Sequence, residues 1–131
     1  MRKIMLAFLA VVAAIAFTGC SAGASAGEKL DVATFLAKAS SPGVVVIDVR
    51  TPDEFAAGHL AGAVNIDVEG PDFDARIAAL DTGVTYAVYC RSGRRSAIAA
   101  QRMADAGFAS VYDLQGGIAD LAAGGARVIT S

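Results

Sequence analysis

The sequence predicts one α/β domain built on a parallel sheet, and three observations carry that expectation. After Glu28, β-branched apolar runs alternate with amphipathic segments. The connections between them are short and rich in Gly, Pro, Ser and Asp. Setting aside an apolar amino-terminal stretch leaves roughly 100 residues, enough for one core of ordinary size. Strands alternating with helices over that length describe a single parallel α/β unit with no internal repeat.

Each element has a local reason. Asp31 caps a helix over Val32 to Ala39, whose Val32, Phe35, Leu36 and Ala39 share a face, and Ser40-Ser41-Pro42-Gly43 stops it. Val44-Val45-Val46-Ile47 is a continuous β-branched run, as in a strand buried on both faces. Thr51-Pro52-Asp53-Glu54 opens a short helix, with Pro and acidic residues in the first turn, and Gly58 ends it. Ala63 to Ile66 reads as a short strand, and Phe73, Ile77 and Leu80 mark an amphipathic helix over Asp72 to Leu80. Thr85 to Tyr89 is a further strand that runs straight into Cys90-Arg91-Ser92-Gly93-Arg94-Arg95. Ser96 is the expected cap of the next helix, which continues to Ala106 with Gly107 behind it. Val111 to Leu114 is the last strand, Gly116-Gly117 a turn, and Ile118 to Ala123 a terminal helix.

The amino-terminal stretch is of another kind. Arg2-Lys3 precede an unbroken apolar run from Ile4 to Phe17, a positive start and apolar centre typical of an export signal. The run holds 14 residues, short of the roughly 20 that cross a bilayer as a helix. Thr18-Gly19-Cys20 resembles the lipobox of bacterial lipoproteins, with Phe17 in its usually aliphatic place. The expected division is therefore a signal over 1–19, an acylated Cys20, a flexible tether over 20–28 and the domain over 29–131. The competing exit is Ala24-Ser25-Ala26, which would release a soluble chain starting at Gly27. Either route puts the domain outside the cytoplasm, in the cell envelope or periplasm, and the first holds it at the membrane by a lipid.

Composition excludes several functions. Loss of Arg2 and Lys3 takes 11 basic residues to 9 against 13 acidic ones, a side-chain charge of −4. No basic stripe speaks for a nucleic-acid partner, and attraction for an anion must be local. Two cysteines make no disulfide scaffold, and with a single histidine they make no four-ligand zinc site. No C-x-x-C is present, so a thioredoxin-like dithiol mechanism is excluded.

The chemistry converges on Cys90. In open α/β sheets the active site lies beyond the carboxyl ends of the strands, where Cys90 stands between a strand and a helix. Amides of the loop and the helix N-terminus favour a negative charge there, and Gly93 supplies the permissive backbone. Arg91, Arg94 and Arg95 add three cations within five residues of the sulfur. These influences all favour thiolate over thiol. A buried structural cysteine is the plain alternative, and three neighbouring arginines speak against a dry apolar niche.

Ile47-Asp48-Val49-Arg50, Glu54-Phe55, Gly58-His59-Leu60, Gly62-Ala63-Val64-Asn65, Cys90-Arg91-Ser92-Gly93, Arg95-Ser96, Gly107-Phe108 and Leu114-Gln115-Gly116-Gly117-Ile118 recur in this order in the rhodanese family of sulfurtransferases. The chain resembles an exported single-domain member over about Leu30 to Val128. The resemblance implies a five-stranded parallel sheet with helices on both faces, and Cys90 as a persulfide-forming nucleophile. It departs from the family at Leu121, where a Trp is usual, and at Arg94, where a smaller polar residue is common.

The expected activity is transfer of a sulfane sulfur from a small anionic donor such as thiosulfate to a thiol or cyanide acceptor. The expected donor site is Arg91, Ser92, Gly93, Arg94, Arg95 and Ser96, and no metal or organic cofactor is called for. The alternatives are a persulfide carrier serving a partner protein and, less favoured, a small-anion phosphatase or arsenate reductase. The last two use C-x5-R, and the sixth place here is Ser96. Asp48 is expected either to orient the loop or to make a strand-end hydrogen bond. Arg50 and Glu54 are expected to form an i, i+4 pair, and His59 to pin a turn.

Overall fold

The computed structural model describes residues 25–131. The expected signal over 1–19, Cys20 and the start of the expected tether lie outside these residues. In order the chain forms β1 Ser25–Leu30, α1 Val32–Ala39, β2 Val44–Asp48, α2 Pro52–Ala57, β3 His59–Leu60 and β4 Val64–Asn65. There follow α3 Phe73–Ala78, β5 Thr85–Tyr89, α4 Arg94–Asp105, β6 Ser110–Leu114, α5 Ile118–Ala123 and β7 Val128–Ile129.

Among these residues the principal sheet has five strands in the order β1-β6-β5-β2-β4, and every pairing in it is parallel. Helices cover both faces. Ile47, Val49, Val88 and Cys90 point to one side, where Phe73 and Ile77 of α3 and Ala99, Ala100 and Met103 of α4 pack on them. Val46, Ala87, Tyr89 and Leu114 point to the other side, against Phe35 of α1 and Leu121 of α5. Leu121 is fully buried in that layer and so fills a core position, as an apolar residue there should.

Local signals explain most boundaries. Asp31 accepts the Thr34 N–H at 2.8 Å and starts α1, and Thr51 accepts the Glu54 N–H at 3.3 Å and starts α2. Gly107, with φ of +92°, ends the α4 turn in the left-handed conformation that suits glycine. Three elements differ from expectation. The tether expected over 20–28 gives way at Ser25, because Ser25–Leu30 pairs along β6 with a register shift between Ala26 and Glu28. The strands β3 and β7 form a separate antiparallel pair of two residues each, too short to leave a periodic signal. Ser96 does not cap α4: Gly93 occupies the N-cap, and Ser96 is buried inside the first turn.

Strands β2 and β5 are neighbours whose following segments leave in opposite directions across the sheet, to β4 on one side and β6 on the other. A crevice opens beyond the carboxyl ends of such a pair. Cys90 directly follows β5 at that point.

Candidate functional site

Cys90 is fully buried, and its sulfur is held by the loop that follows it. The Gly93 N–H donates to Cys90 Sγ at 3.0 Å. Cys90 Sγ donates to Ser96 Oγ at 3.5 Å, and Ser96 Oγ donates to the Gly93 carbonyl at 3.2 Å, a proton it can turn to the sulfur once the thiol ionises. Gly93 reaches this geometry at φ of +101°, a conformation open to glycine and strained for other residues. Burial pushes the Cys90 thiol up, but hydrogen bonds from the Ser96 hydroxyl and from the Ser96, Ser92 and Gly93 amides outweigh it and lower the thiol below its ordinary value. The thiolate is therefore favoured by oriented N–H and O–H groups. The role expected of the three arginines is smaller than their proximity in sequence suggests.

Arg95 accounts for much of that difference. Its guanidinium donates from both terminal nitrogens to the two Glu54 carboxylate oxygens, each at 2.8 Å. Glu54 thus pairs with Arg95, 41 residues away, and the expected i, i+4 partnership with Arg50 does not form. The hydrogen bonds from Arg95 hold the Glu54 carboxyl down at about 2 against the upward push of burial. Arg91 and Arg94 remain exposed on the loop, as does Ser92. Of the three expected cations, these two are the exposed ones.

Asp48 lies elsewhere than a loop-orienting role requires. Its side chain is fully buried on the face opposite Cys90, beside Tyr89. It accepts from Arg50 Nε at 3.0 Å and from the Arg50 terminal nitrogen at 2.7 Å, and Arg50 also donates to the Gly58 carbonyl at 2.6 Å. Tyr89 completes the cluster by accepting the Leu60 N–H at 2.9 Å. Burial and a hydrogen bond to Asp48 push the Tyr89 phenol up, so it stays neutral. This network ties the end of β2 to α2 and β3, and its hydrogen bonds do not reach Cys90–Ser96, so Asp48 braces the sheet. His59 stacks on Phe55 at 3.7 Å between ring centroids, and its Nδ1 lies 2.8 Å from the Phe55 carbonyl, which fits the expected turn-pinning role.

The Gly116-Gly117 pair does more than turn the chain. The Ile118 N–H at the start of α5 donates to the Cys90 carbonyl at 3.0 Å. A Cβ on Gly117 would fall 1.6 Å from the Arg91 carbonyl oxygen, so α5 and the loop touch backbone to backbone. Asp120 accepts the Gly117 N–H at 2.8 Å and locks that approach. In sequence the doubled glycine before a helix was the available signal for such a close approach. Among the described residues, no group of three or more His, Cys, Asp or Glu side chains is placed to hold a metal ion.

Comparison with known proteins agrees with this architecture. A family model described as "Rhodanese-like domain" matches residues 31–123. The chain is 41% identical over 76 residues to a protein of Stutzerimonas stutzeri named thiosulfate sulfurtransferase GlpE, covering 57% of this chain and 67% of that one. It is 38% identical over 95 residues to a tRNA uridine(34) hydroxylase of Cytophaga hutchinsonii, covering 70% of this chain and 30% of that longer protein. A crystal structure of a rhodanese-related protein from Thermoplasma volcanium superposes with a TM-score of 0.69 at 27% identity, over 79% of this chain and 99% of that one. A parallel sheet of this order, a cysteine at the end of its central strand and a family model matching most of the chain agree, and the chain belongs to the rhodanese-like family.

Proposed function

We propose that the protein is a sulfurtransferase that takes the outer sulfur of thiosulfate onto Cys90 and passes it to a thiol or to cyanide. The observation that carries this reading is the Cys90 sulfur itself, set at a strand end beneath the Gly93 N–H at 3.0 Å, with its thiol lowered by surrounding donors. A thiolate there needs no general base, and the sole histidine is engaged with Phe55. The thiolate attacks the outer sulfur of thiosulfate. A sulfur–sulfur bond forms to Cys90 while the donor's own sulfur–sulfur bond breaks, and its electron pair leaves with sulfite. An acceptor thiolate then attacks the terminal sulfur of the Cys90 persulfide and regenerates the Cys90 thiolate, or cyanide does so and leaves as thiocyanate. Both steps conserve charge and need no outside oxidant.

Arg91 and Arg94, exposed beside the loop, attract the dianionic donor, while the amides that hold the thiolate also suit the anionic persulfide. The relative named thiosulfate sulfurtransferase supports the same donor. A second reading is a persulfide carrier that hands sulfur to a partner protein. It is favoured by the recurrence of this domain within a larger tRNA-modifying relative. A phosphatase or arsenate reductase is disfavoured because Ser96 occupies the place of the required arginine.

The reading includes export and a lipid on Cys20, supported by the Arg2-Lys3 start, the apolar run to Phe17 and Thr18-Gly19-Cys20. Among the described residues no helix is long and apolar enough to cross a membrane.

The deciding experiment is intact mass after thiosulfate treatment. One added sulfur that cyanide removes is expected, together with many turnovers per minute when both substrates are supplied. No added sulfur overturns the reading, and stable loading with negligible turnover selects the carrier.

A further inference from the structure

The strand register fixes which end of the domain a lipid on Cys20 can hold. β1 is an edge strand parallel to its neighbour, and Ser25 at its start is level with Ser110. Ser110 is in turn level with Thr85, and Thr85 with Val44. The chain therefore enters the fold at the amino ends of the strands, whereas Cys90 lies beyond their carboxyl ends. Five residue steps separate Thr85 from Cys90, about 17 Å along an extended strand. Five steps also separate Cys20 from Ser25, a reach of at most about 18 Å. Bringing Cys90 down to the bilayer would consume that whole reach in running back along the domain.

Charge favours the same orientation. Three turns close the amino end of the sheet, Ser40–Gly43, Asp81–Val84 and Ala106–Ala109; Asp81 is their single charged residue, and Lys38 and Asp105 flank them in the last turns of α1 and α4. The opposite end carries Arg91, Arg94, Asp53, Asp67, Glu69 and Asp72 beside the Arg95–Glu54 pair. An end with fewer acidic residues, and with Lys38 beside them, can lie against anionic headgroups, from which a body of net negative charge is repelled within about 8–10 Å.

On the reading that Cys20 is acylated, we propose that the amino end of the sheet is the membrane-facing surface and that Cys90 points away from the bilayer. The sulfur acceptor is then a water-borne thiol, small or on a soluble protein, and not a group carried in the lipid plane.

The test uses the lipidated full-length protein in vesicles of phosphatidylethanolamine and phosphatidylglycerol. In a Cys90→Ser background, single spin labels are placed through Thr82→Cys at the amino end and Ser92→Cys on the loop, and nickel is chelated on lipid headgroups. Relaxation of the label at position 82 is expected to exceed that at 92 several-fold. Equal or reversed relaxation overturns the proposal. A mature chain found to begin at Gly27 overturns it as well, since no anchor remains. In a second arm the wild-type lipidated protein is loaded with thiosulfate and offered a soluble thiol or a thiol on a lipid headgroup of the same vesicle. At least a tenfold preference for the soluble thiol is expected, and equal transfer counts against the orientation. The nickel arm reads geometry without catalysis, so failure of sulfur transfer and failure of the orientation are separately visible.

Discussion

Arg95 and Glu54 meet through two parallel contacts of 2.8 Å, a fork-to-fork pairing that joins the first turn of α4 to α2. The pair neutralises Arg95, the second residue of α4, and leaves Arg91 and Arg94 exposed. It also makes the stability of the site sensitive to acid.

Glu54 is ordinarily a carboxylate of 4.5 and is held at about 2 in the folded chain, first by its hydrogen bonds from Arg95. A carboxyl depressed on folding contributes stability that is complete above the ordinary value and disappears as the pH falls through the folded one. The window is therefore from about 4.5 down to about 2. Glu54→Gln is expected to flatten the loss of melting temperature across that window. At neutral pH it should cost only about 1 kcal/mol, as the Glu54 side chain is 31% exposed and solvent screens the pair. Thermal melts of both proteins between pH 2 and 7 check this, and identical acid profiles would remove the pair from the account.

The division among arginines makes a second prediction. Arg91→Ala is expected to lower kcat/KM for thiosulfate by about tenfold, the effect of one hydrogen bond to a charged group at roughly 1.5 kcal/mol. Arg102→Ala is the comparison, since Arg102 lies toward the far end of α4 and bonds to Asp74 at 2.6 Å and the Val68 carbonyl at 3.1 Å. It should cost stability and leave kcat/KM nearly unchanged. Equal kinetic losses in the two variants would show that the loop cations do not act locally.

Gly117→Ala places a methyl group 1.6 Å from the Arg91 carbonyl oxygen, and the Asp120 bond to the Gly117 N–H keeps the backbone from sliding aside. Overpacking of this kind typically costs about 1–3 kcal/mol. The displaced atom belongs to the loop that holds Cys90, so a loss of Cys90 alkylation rate is expected alongside the fall in melting temperature. A destabilised variant with wild-type alkylation would make Gly117 a structural residue alone.

The elements that the sequence made legible were those with a period or a cap. α1 begins and ends where Asp31 and the Ser40–Gly43 stop place it, and α5 spans Ile118–Ala123, directly after the Gly116-Gly117 turn, as expected. β1 was not visible, because Ser-Ala-Gly has neither alternation nor β-branched residues, and only pairing with β6 makes it a strand. The partner of Glu54 was hidden for another reason: a contact across 41 residues leaves no local signal, whereas Arg50 offered a plausible helix pair. Asp48 was decidable in principle. It is level with Tyr89 in the paired strands, and side chains alternate, so Cys90 one residue on must face the other way.

That alternation separates stability from chemistry at Asp48. Its ion pair with Arg50 is buried, with side-chain exposures of 0% and 6%. Removing one partner of such a pair typically costs about 3–5 kcal/mol, since a buried charge is left uncompensated. Asp48→Ala is therefore expected to lower the urea midpoint sharply while the folded fraction keeps the wild-type pH dependence of Cys90 alkylation. A variant of normal stability with an altered alkylation profile would restore to Asp48 the loop-orienting role.

The last prediction concerns what keeps Cys90 ionised. Burial alone would raise its thiol, and the Ser96 hydroxyl is the foremost of the groups that reverse this, ahead of the Ser96, Ser92 and Gly93 amides. Ser96→Ala removes the hydroxyl and leaves the amides to oppose burial alone, so the alkylation midpoint should move upward. The sign follows from which form is stabilised: a donor to sulfur favours the thiolate, and its loss returns the proton. The kinetic cost should accordingly shrink as the pH rises, since alkali ionises the thiol in both proteins. Thiosulfate should protect Cys90 from alkylation in both proteins. Cys90→Ser should abolish sulfur transfer with the fold retained, because a hydroxyl stays protonated and forms no persulfide. A Ser96→Ala profile superimposable on wild type would leave the amides as the whole cause of the lowered thiol, and residual transfer in Cys90→Ser would remove Cys90 from the reaction altogether.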